Sequence, residues 1–170
     1  MLSQKIQDAL NEQIKNEFYS SYSYLAMSAF CARQQFNGCA QWLRMQSQEE
    51  NLHALRLLDF LLARDGKAVL QEIEQPTIDF ASIAEVFENS LKQERWVTER
   101  IDALYELAFQ EKAFSALVEL EWFITEQVEE EKTAREIVHK FHLLKDDPAS
   151  LLDLDRELGS RTAAALTPKA

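Results

Sequence analysis

The sequence predicts an all-α fold: a four-helix bundle with one long crossover between its second and third helices, and a short fifth helix. Three observations carry that expectation. The 170 residues include only three glycines and three prolines, too few for a loop-rich or all-β chain. Long stretches rich in Ala, Leu, Glu, Gln and Lys run without either residue up to Gly38, on to Gly66, and from Pro76 to Pro148. Apolar residues recur along them at helical spacing, and a hydrophobic share of 46% is enough for a sizeable core.

The first helix is expected from about residue 4 to 35, with Ser3 as N-cap and Asn37-Gly38 supplying the left-handed residues that end it. The second follows from 39 to 65 and closes at Gly66. Lys67 to Ala81, with Pro76 and few periodic apolar residues, is the connector. Ser82-Ile-Ala-Glu85 is a capping box opening a third helix over 82–109. A single helix from Ser82 to Leu143 would be roughly 90 Å long, too long for a compact domain. A turn is therefore placed near Gln110–Ala113, and the fourth helix spans 113–143. Asp147-Pro148 reads as an N-cap followed by proline at the first helical position, opening a short helix over 148–158 with Leu151, Leu152, Leu154 and Leu158. Residues 1–158 form one domain in this reading, and 159–170 a C-terminal tail.

Short turns make the first and second helices antiparallel, and likewise the third and fourth. The connector can reach up to roughly 50 Å, more than the roughly 40 Å of a bundle helix. It can run back along the whole bundle, so the second and third helices are expected to be parallel.

The charge balance narrows the partners. With 29 acidic against 18 basic residues the net charge is −11, which argues against nucleic acid and suits cations. No apolar run of about 18 residues predicts a membrane span. The first residues have no apolar core of a signal peptide, so the expected location is cytoplasmic. Cys31 and Cys39 form no C-x-x-C pair and are expected as free thiols.

Residues seven apart on a helix lie nearly above one another. By that test Glu17 lies between Leu10 and Tyr24, Glu50 between Leu43 and Leu57, Glu94 between Phe87 and Ile101, and Glu130 between Phe123 and Ile137. Each long helix thus has one glutamate near its middle on an apolar stripe. Glu12, Glu119, Glu126 and Glu136 fail the test. His53, three after Glu50, shares its face, and Gln127 lies three before Glu130. Glu17 and His53 are centred on the first turn, and Glu94 and Glu130 on the third, so antiparallel pairing brings each pair level.

Four converging carboxylates need compensation. At ~6 Å and an effective dielectric near 20, each like-charged pair repels by about 3 kcal/mol. A single buried glutamate is met by protonation or by water. Four at one level beside an E-x-x-H pair are matched by the +4 charge of two divalent ions. Carboxylates with one imidazole and no thiolate suit iron or manganese better than structural zinc, and calcium favours loop oxygens. A pair of iron(II) ions can deliver two electrons to dioxygen together.

With these residues in view, the chain resembles the bacterial non-haem ferritins over roughly residues 5–158. The resemblance rests on Glu17 with Tyr24, Gln48-Glu-Glu-Asn-Leu-His53, Glu94, and Glu126-Gln-Val-Glu-Glu-Glu-Lys132. It implies oxidation of iron(II) by dioxygen and storage of iron(III) as hydrated oxide inside a hollow shell of 24 copies. It also implies that one iron is held by Glu17, Glu50 and His53, and a second by Glu94 and Glu130, with Glu50 bridging. Gln127 would stand near the second iron, hydrogen-bonding oxygen or water. Glu49, Glu126 and Glu129 match a third iron site that shares Glu130; a solvated acidic face is the alternative. Tyr24 and Trp122 match positions where packing and electron donation are both open. The short fifth helix would line four-fold shell contacts, or else cap its own bundle.

Bacterioferritins are the neighbouring reading. They carry a second E-x-x-H where this chain has Gln127-x-x-Glu130, and a haem-ligating methionine where it has Asn51, so no haem is expected. A rubrerythrin-like peroxidase would need paired C-x-x-C motifs. The DNA-protecting mini-ferritins place iron between subunits. A non-catalytic helical shell or interaction subunit is the remaining alternative, disfavoured because helices made only to pack would not retain a glutamate on every stripe.

Overall fold

The computed structural model describes residues 2–144 and 147–161. Its regular elements are α1 Gln4–Arg33, α2 Asn37–Ala63, α3 Ile83–Gln110, α4 Phe114–Leu144 and α5 Pro148–Gly159. Three helices begin with a side-chain oxygen accepting an otherwise unpaired amide: Ser3 from Ile6, Ser82 from Glu85, and Asp147 from Ser150. The box at α3 is one residue wider than expected, since Glu85 accepts the amide of Ala81. Of the expected tail, Gly159 closes α5, and residues 162–170 lie outside the described residues.

The turns depart from the glycine-based expectation. α1 stops at Arg33, and Asn37 and Gly38 open α2 instead of ending α1. The left-handed positions are taken by Gln35 (φ 67°), Asp65 (φ 57°) and Lys112 (φ 55°). In each case the next amide reaches back to close the helix: Phe36 to the Cys31 carbonyl at 3.0 Å, Gly66 to Leu61 at 2.9 Å, and Ala113 to Ala108 at 2.9 Å. Three Schellman-type ends thus bear ordinary side chains where glycine is the easier residue.

Gly38 has a different purpose. A Cβ there would lie 1.7 Å from the Asp155 carbonyl oxygen, and one on Gly159 would lie 2.9 Å from Gly38 Cα. The two glycines let α5 lie directly against the first turn of α2. There Asp155 Oδ1 accepts the Cys39 amide at 2.8 Å, supplying a cap that Phe36 lacks. Leu154 and Leu158 are buried in this contact, whereas Leu152 is exposed, so α5 caps its own bundle along one face.

The crossover runs the length of α1. At its start Gln7 Oε1 accepts the Lys67 amide, while Asn11 donates to the Lys67 carbonyl and accepts from the Val69 amide. At its far end Arg33 pairs with Asp79 at 3.2 Å, and Phe30 meets Phe80 edge-on at 5.2 Å. α3 therefore starts beside the end of α1, antiparallel to it and parallel to α2.

The core is two apolar clusters. One holds Met27, Cys31, Trp42, Phe87 and Phe141 near the α5 end. The other holds Ile6, Leu10, Leu57, Leu61, Leu104 and Leu120 near the opposite end. Between them every long helix contributes a polar residue.

Candidate functional site

That middle layer is buried. Glu17 is 0% exposed, Glu50 and Glu94 1%, Gln127 4% and His53 5%. Glu130 is half-buried at its edge. α1 brings Glu17, α2 both Glu50 and His53 from one face, α3 Glu94, and α4 Gln127 and Glu130. One ligand-type atom from each of Glu17, Glu50 and His53 lies within 4.8 Å of the other two. His53 Nδ1 stands 3.5 Å from Glu50 Oε2.

The remaining carboxylates join this trio through amides and a phenol. Gln46 Nε2 donates to Glu50 Oε1 at 3.1 Å and to Glu130 Oε2 at 2.8 Å. The Tyr24 hydroxyl donates to Glu94 Oε1. Gln127 Nε2 lies 3.1 Å from the Glu94 carbonyl oxygen, 3.4 Å from Glu94 Oε2 and 3.3 Å from Thr98 Oγ1. Gln13 Nε2 donates to Glu17 Oε1 at 2.8 Å.

Among the described residues three buried side-chain oxygens have no hydrogen-bond partner: Glu17 Oε2 and Glu50 Oε2 within the trio, and Ser20 Oγ on α1. An ionised carboxylate oxygen left unpaired out of water is costly. A shared proton between Glu17 and Glu50 relieves part of that cost, and a cation between them relieves it for both carboxylates and the imidazole together.

The electrostatics report the same crowding. Burial and then the Glu50 charge push Glu17 up to about 8, against the pull of His53 and Gln13. Burial, with Glu50 and Glu49, pushes Glu130 up to about 8. Burial beside Glu50 and Glu130 holds Glu94 well above the usual carboxylate range despite its donors. Burial by itself would lower the His53 imidazole, but its close approach to Glu50 and the charges of Glu50, Glu17 and Glu130 outweigh it, pushing it up to about 10. Burial and the neighbouring carboxylates also raise Tyr24. Cys31 and Cys39, buried in the adjoining cluster, are held protonated by burial and by Asp155.

A groove of about 830 Å³ opens from this layer between α2 and α4, and Glu49, His53, Glu126, Glu129, Glu130 and Arg161 line it. Glu129 is exposed, and Glu49 and Glu126 are half-buried. Trp122 forms part of the wall, edge-on to His53 at 5.3 Å, with the Arg56 guanidinium 4.0 Å over its ring. Its indole N–H is buried without a partner. Arg161, just beyond α5, donates to Gln46 Oε1 at 2.9 Å and to Glu49 Oε2.

The structure thus gathers Glu17, Tyr24, Glu50, His53, Glu94, Gln127 and Glu130 in one layer, and sets Glu49, Glu126 and Glu129 along the groove beside it. Sequence reasoning passed over Gln13, Gln46, Thr98 and Arg161. Gln13 and Gln46 had a readable signal, since each lies four residues before a stripe glutamate, on the same face. Arg161 had none, standing 112 residues from Glu49.

A family model described as a ferritin-like domain matches residues 7–144. The chain is 36% identical over 162 residues to a bacterial non-heme ferritin of Staphylococcus aureus, an alignment that covers 95% of this chain and 98% of that protein. A bacterial non-heme ferritin of Staphylococcus epidermidis is 37% identical with the same coverage. Among solved structures, an open-pore ferritin from the archaeon Archaeoglobus fulgidus superposes with a TM-score of 0.94 at 41% identity, covering 95% of this chain and 99% of that one. With the match over most of its length and a middle layer that places a glutamate on each of four long helices, the chain belongs to the ferritin family.

Proposed function

We propose that this protein is a cytoplasmic iron-storage ferritin whose four-helix centre oxidises iron(II) with dioxygen, the iron(III) being kept as hydrated oxide inside a shell of 24 copies. Residues 1–158 act as one ferritin-like domain in this reading, and no haem takes part. The observation that carries it is the pair of unpartnered buried oxygens on Glu17 and Glu50, next to an imidazole, in a layer that gathers four glutamates from four helices. Cations satisfy all of them at once.

Iron(II) is the substrate. Glu17, Glu50 and His53 hold one ion, and Glu94 and Glu130 a second, with Glu50 shared. Ions arriving at neutral pH displace the protons that burial holds on Glu17 and Glu130. Each iron(II) gives up one electron, and dioxygen takes both together with two protons, which brings it to the peroxide level. Tyr24 and Gln127 hold Glu94 in place, and Gln46 holds Glu50 and Glu130. Glu49, Glu126 and Glu129 provide a third iron position on the groove, sharing Glu130. Exposed apolar side chains on α1 and the crossover, among them Tyr22 (50% exposed) and Leu70 (72% exposed), support burial against further copies.

Oxygen uptake after iron(II) addition tests the reading. Glu50→Ala is expected to abolish the rapid phase, because it removes the shared carboxylate; rapid oxidation at the wild-type rate in this variant would refute the assignment. Glu129→Ala is expected to change the ratio of oxygen consumed to iron oxidised while leaving the initial rate intact. An equal loss of initial rate would show that Glu129 belongs to the central pair.

A further inference from the structure

The groove already contains a cation of the protein's own. Arg161 follows α5 and turns its guanidinium inward, its side chain only 18% exposed. It donates to Glu49 Oε2 and to Gln46 Oε1, and its Cζ lies 5.0 Å from the Trp42 ring centroid. A guanidinium bonded on one edge by carboxylate and amide oxygens and covered by an indole is in a built seat. The seat is anchored from both sides. The Gly38–Gly159 approach and the Asp155–Cys39 bond fix α5 on α2, the helix that carries Gln46 and Glu49.

The seat also dictates how Gln46 faces. Arginine has donors and no acceptor, so the Gln46 atom toward Arg161 is its oxygen. The amide nitrogen then points to Glu50 and Glu130, where the structure has it donating. Glu49 is left with its negative charge already matched: burial raises its carboxyl, and Arg161 pulls it back.

We infer that Arg161 and a third metal ion are alternative occupants of the Glu49 corner, so that a cation loads the groove only by displacing the guanidinium. This rests on the third-site reading above. Arg161 bonds to none of Glu17, Glu50, His53, Glu94 or Glu130 directly and reaches the central pair only through Gln46, so the first two ions are followed alongside the third. Loading of the third position is thereby coupled to the docking of α5, the element that places Arg161.

Zinc(II), which does not change oxidation state, is the probe, titrated calorimetrically into the metal-free assembled protein. Wild type is expected to take two ions per chain tightly and a third weakly. Arg161→Gln is expected to tighten the third by at least about tenfold, because a like charge has left the seat. Arg161→Lys should stay close to wild type, and adding Glu49→Gln to Arg161→Gln should erase the gain. A third-ion affinity in Arg161→Gln within about twofold of wild type overturns the inference and leaves the third position standing. No third ion in any of these proteins overturns both together, while the first two ions still report on the central pair. If Arg161→Gln does not assemble, wild-type crystals soaked in zinc(II) decide. Zinc at Glu49 with Arg161 displaced agrees with the inference; zinc and Arg161 together on Glu49, or no zinc at Glu49 at saturating concentration, overturn it.

Discussion

Glu17, Glu130 and His53 make the metal-free protein sensitive to pH in a direction that can be derived. In the fold Glu17 and Glu130 are pushed up to about 8 from an ordinary 4.5, and His53 up to about 10 from 6.5. Between 4.5 and about 8 the folded carboxyls bind more protons than the unfolded ones, so stability falls as pH rises. The His53 contribution is fully present below 6.5 and is lost as pH rises through about 10. All three slope the same way between 6.5 and 8. The Tm of metal-free protein is therefore expected to fall across that window, and a Glu17→Gln/Glu130→Gln double variant to flatten the fall. A Tm that rises across the window in the metal-free wild type would contradict the burial argument. Saturating zinc(II) should raise Tm at every pH in the window, because it binds the folded state alone. At this scale the sequence was legible where one residue type repeated at one period. The four stripe glutamates and His53 stood out against apolar neighbours. Gln13 and Gln46 were legible only through their spacing of four from a stripe glutamate, because a buried amide raises no charge problem of its own.

The helices were readable from their long unbroken stretches and their caps, but the way they end was not. Glycine was expected to close the first two helices, while the chain places Gln35 and Asp65 at those left-handed positions, and Lys112 takes the one in the expected third turn. A non-glycine residue in that region carries a steric cost of roughly 1–2 kcal/mol. Gln35→Gly is accordingly expected to stabilise the fold by about 0.5–1 kcal/mol, read as an increase in the chemical-denaturation midpoint. No loss of activity should accompany it, since the turn lies outside the polar layer. Gly38 behaves in the opposite way, because its missing Cβ admits another backbone. Gly38→Ala should cost about 1–3 kcal/mol and release α5, measured as faster amide exchange across 148–161 with α1–α4 protection retained. Unchanged α5 protection would show that the two glycines are not what seats it. The sequence could mark Gly38 as a breaker but not as a contact, since its neighbour Asp155 is 117 residues further on.

For the whole molecule, connectivity was legible through arithmetic: the connector was long enough to span a helix, and the structure runs it beside α1 from Gln7 to Arg33. What arithmetic could not supply is the number of copies, which depends on surfaces no single chain satisfies. Sedimentation of the native assembly with parallel iron analysis is expected to give a mass of 24 chains and iron far in excess of three ions per chain. A monomer or dimer with stoichiometric iron would remove the storage shell while leaving the central pair in place.

The crossover sits outside the bundle and contributes nothing to the polar layer; its grip on α1 comes from Asn11 and Gln7 at one end and Arg33 and Phe30 at the other. Each half carries one helical hairpin, and the two share both apolar clusters. A protease that nicks the chain near Pro76 would sever the covalent route between the halves without touching a single carboxylate of the centre. Such a cut protein should stay together as two non-covalently paired fragments and keep its capacity for cations.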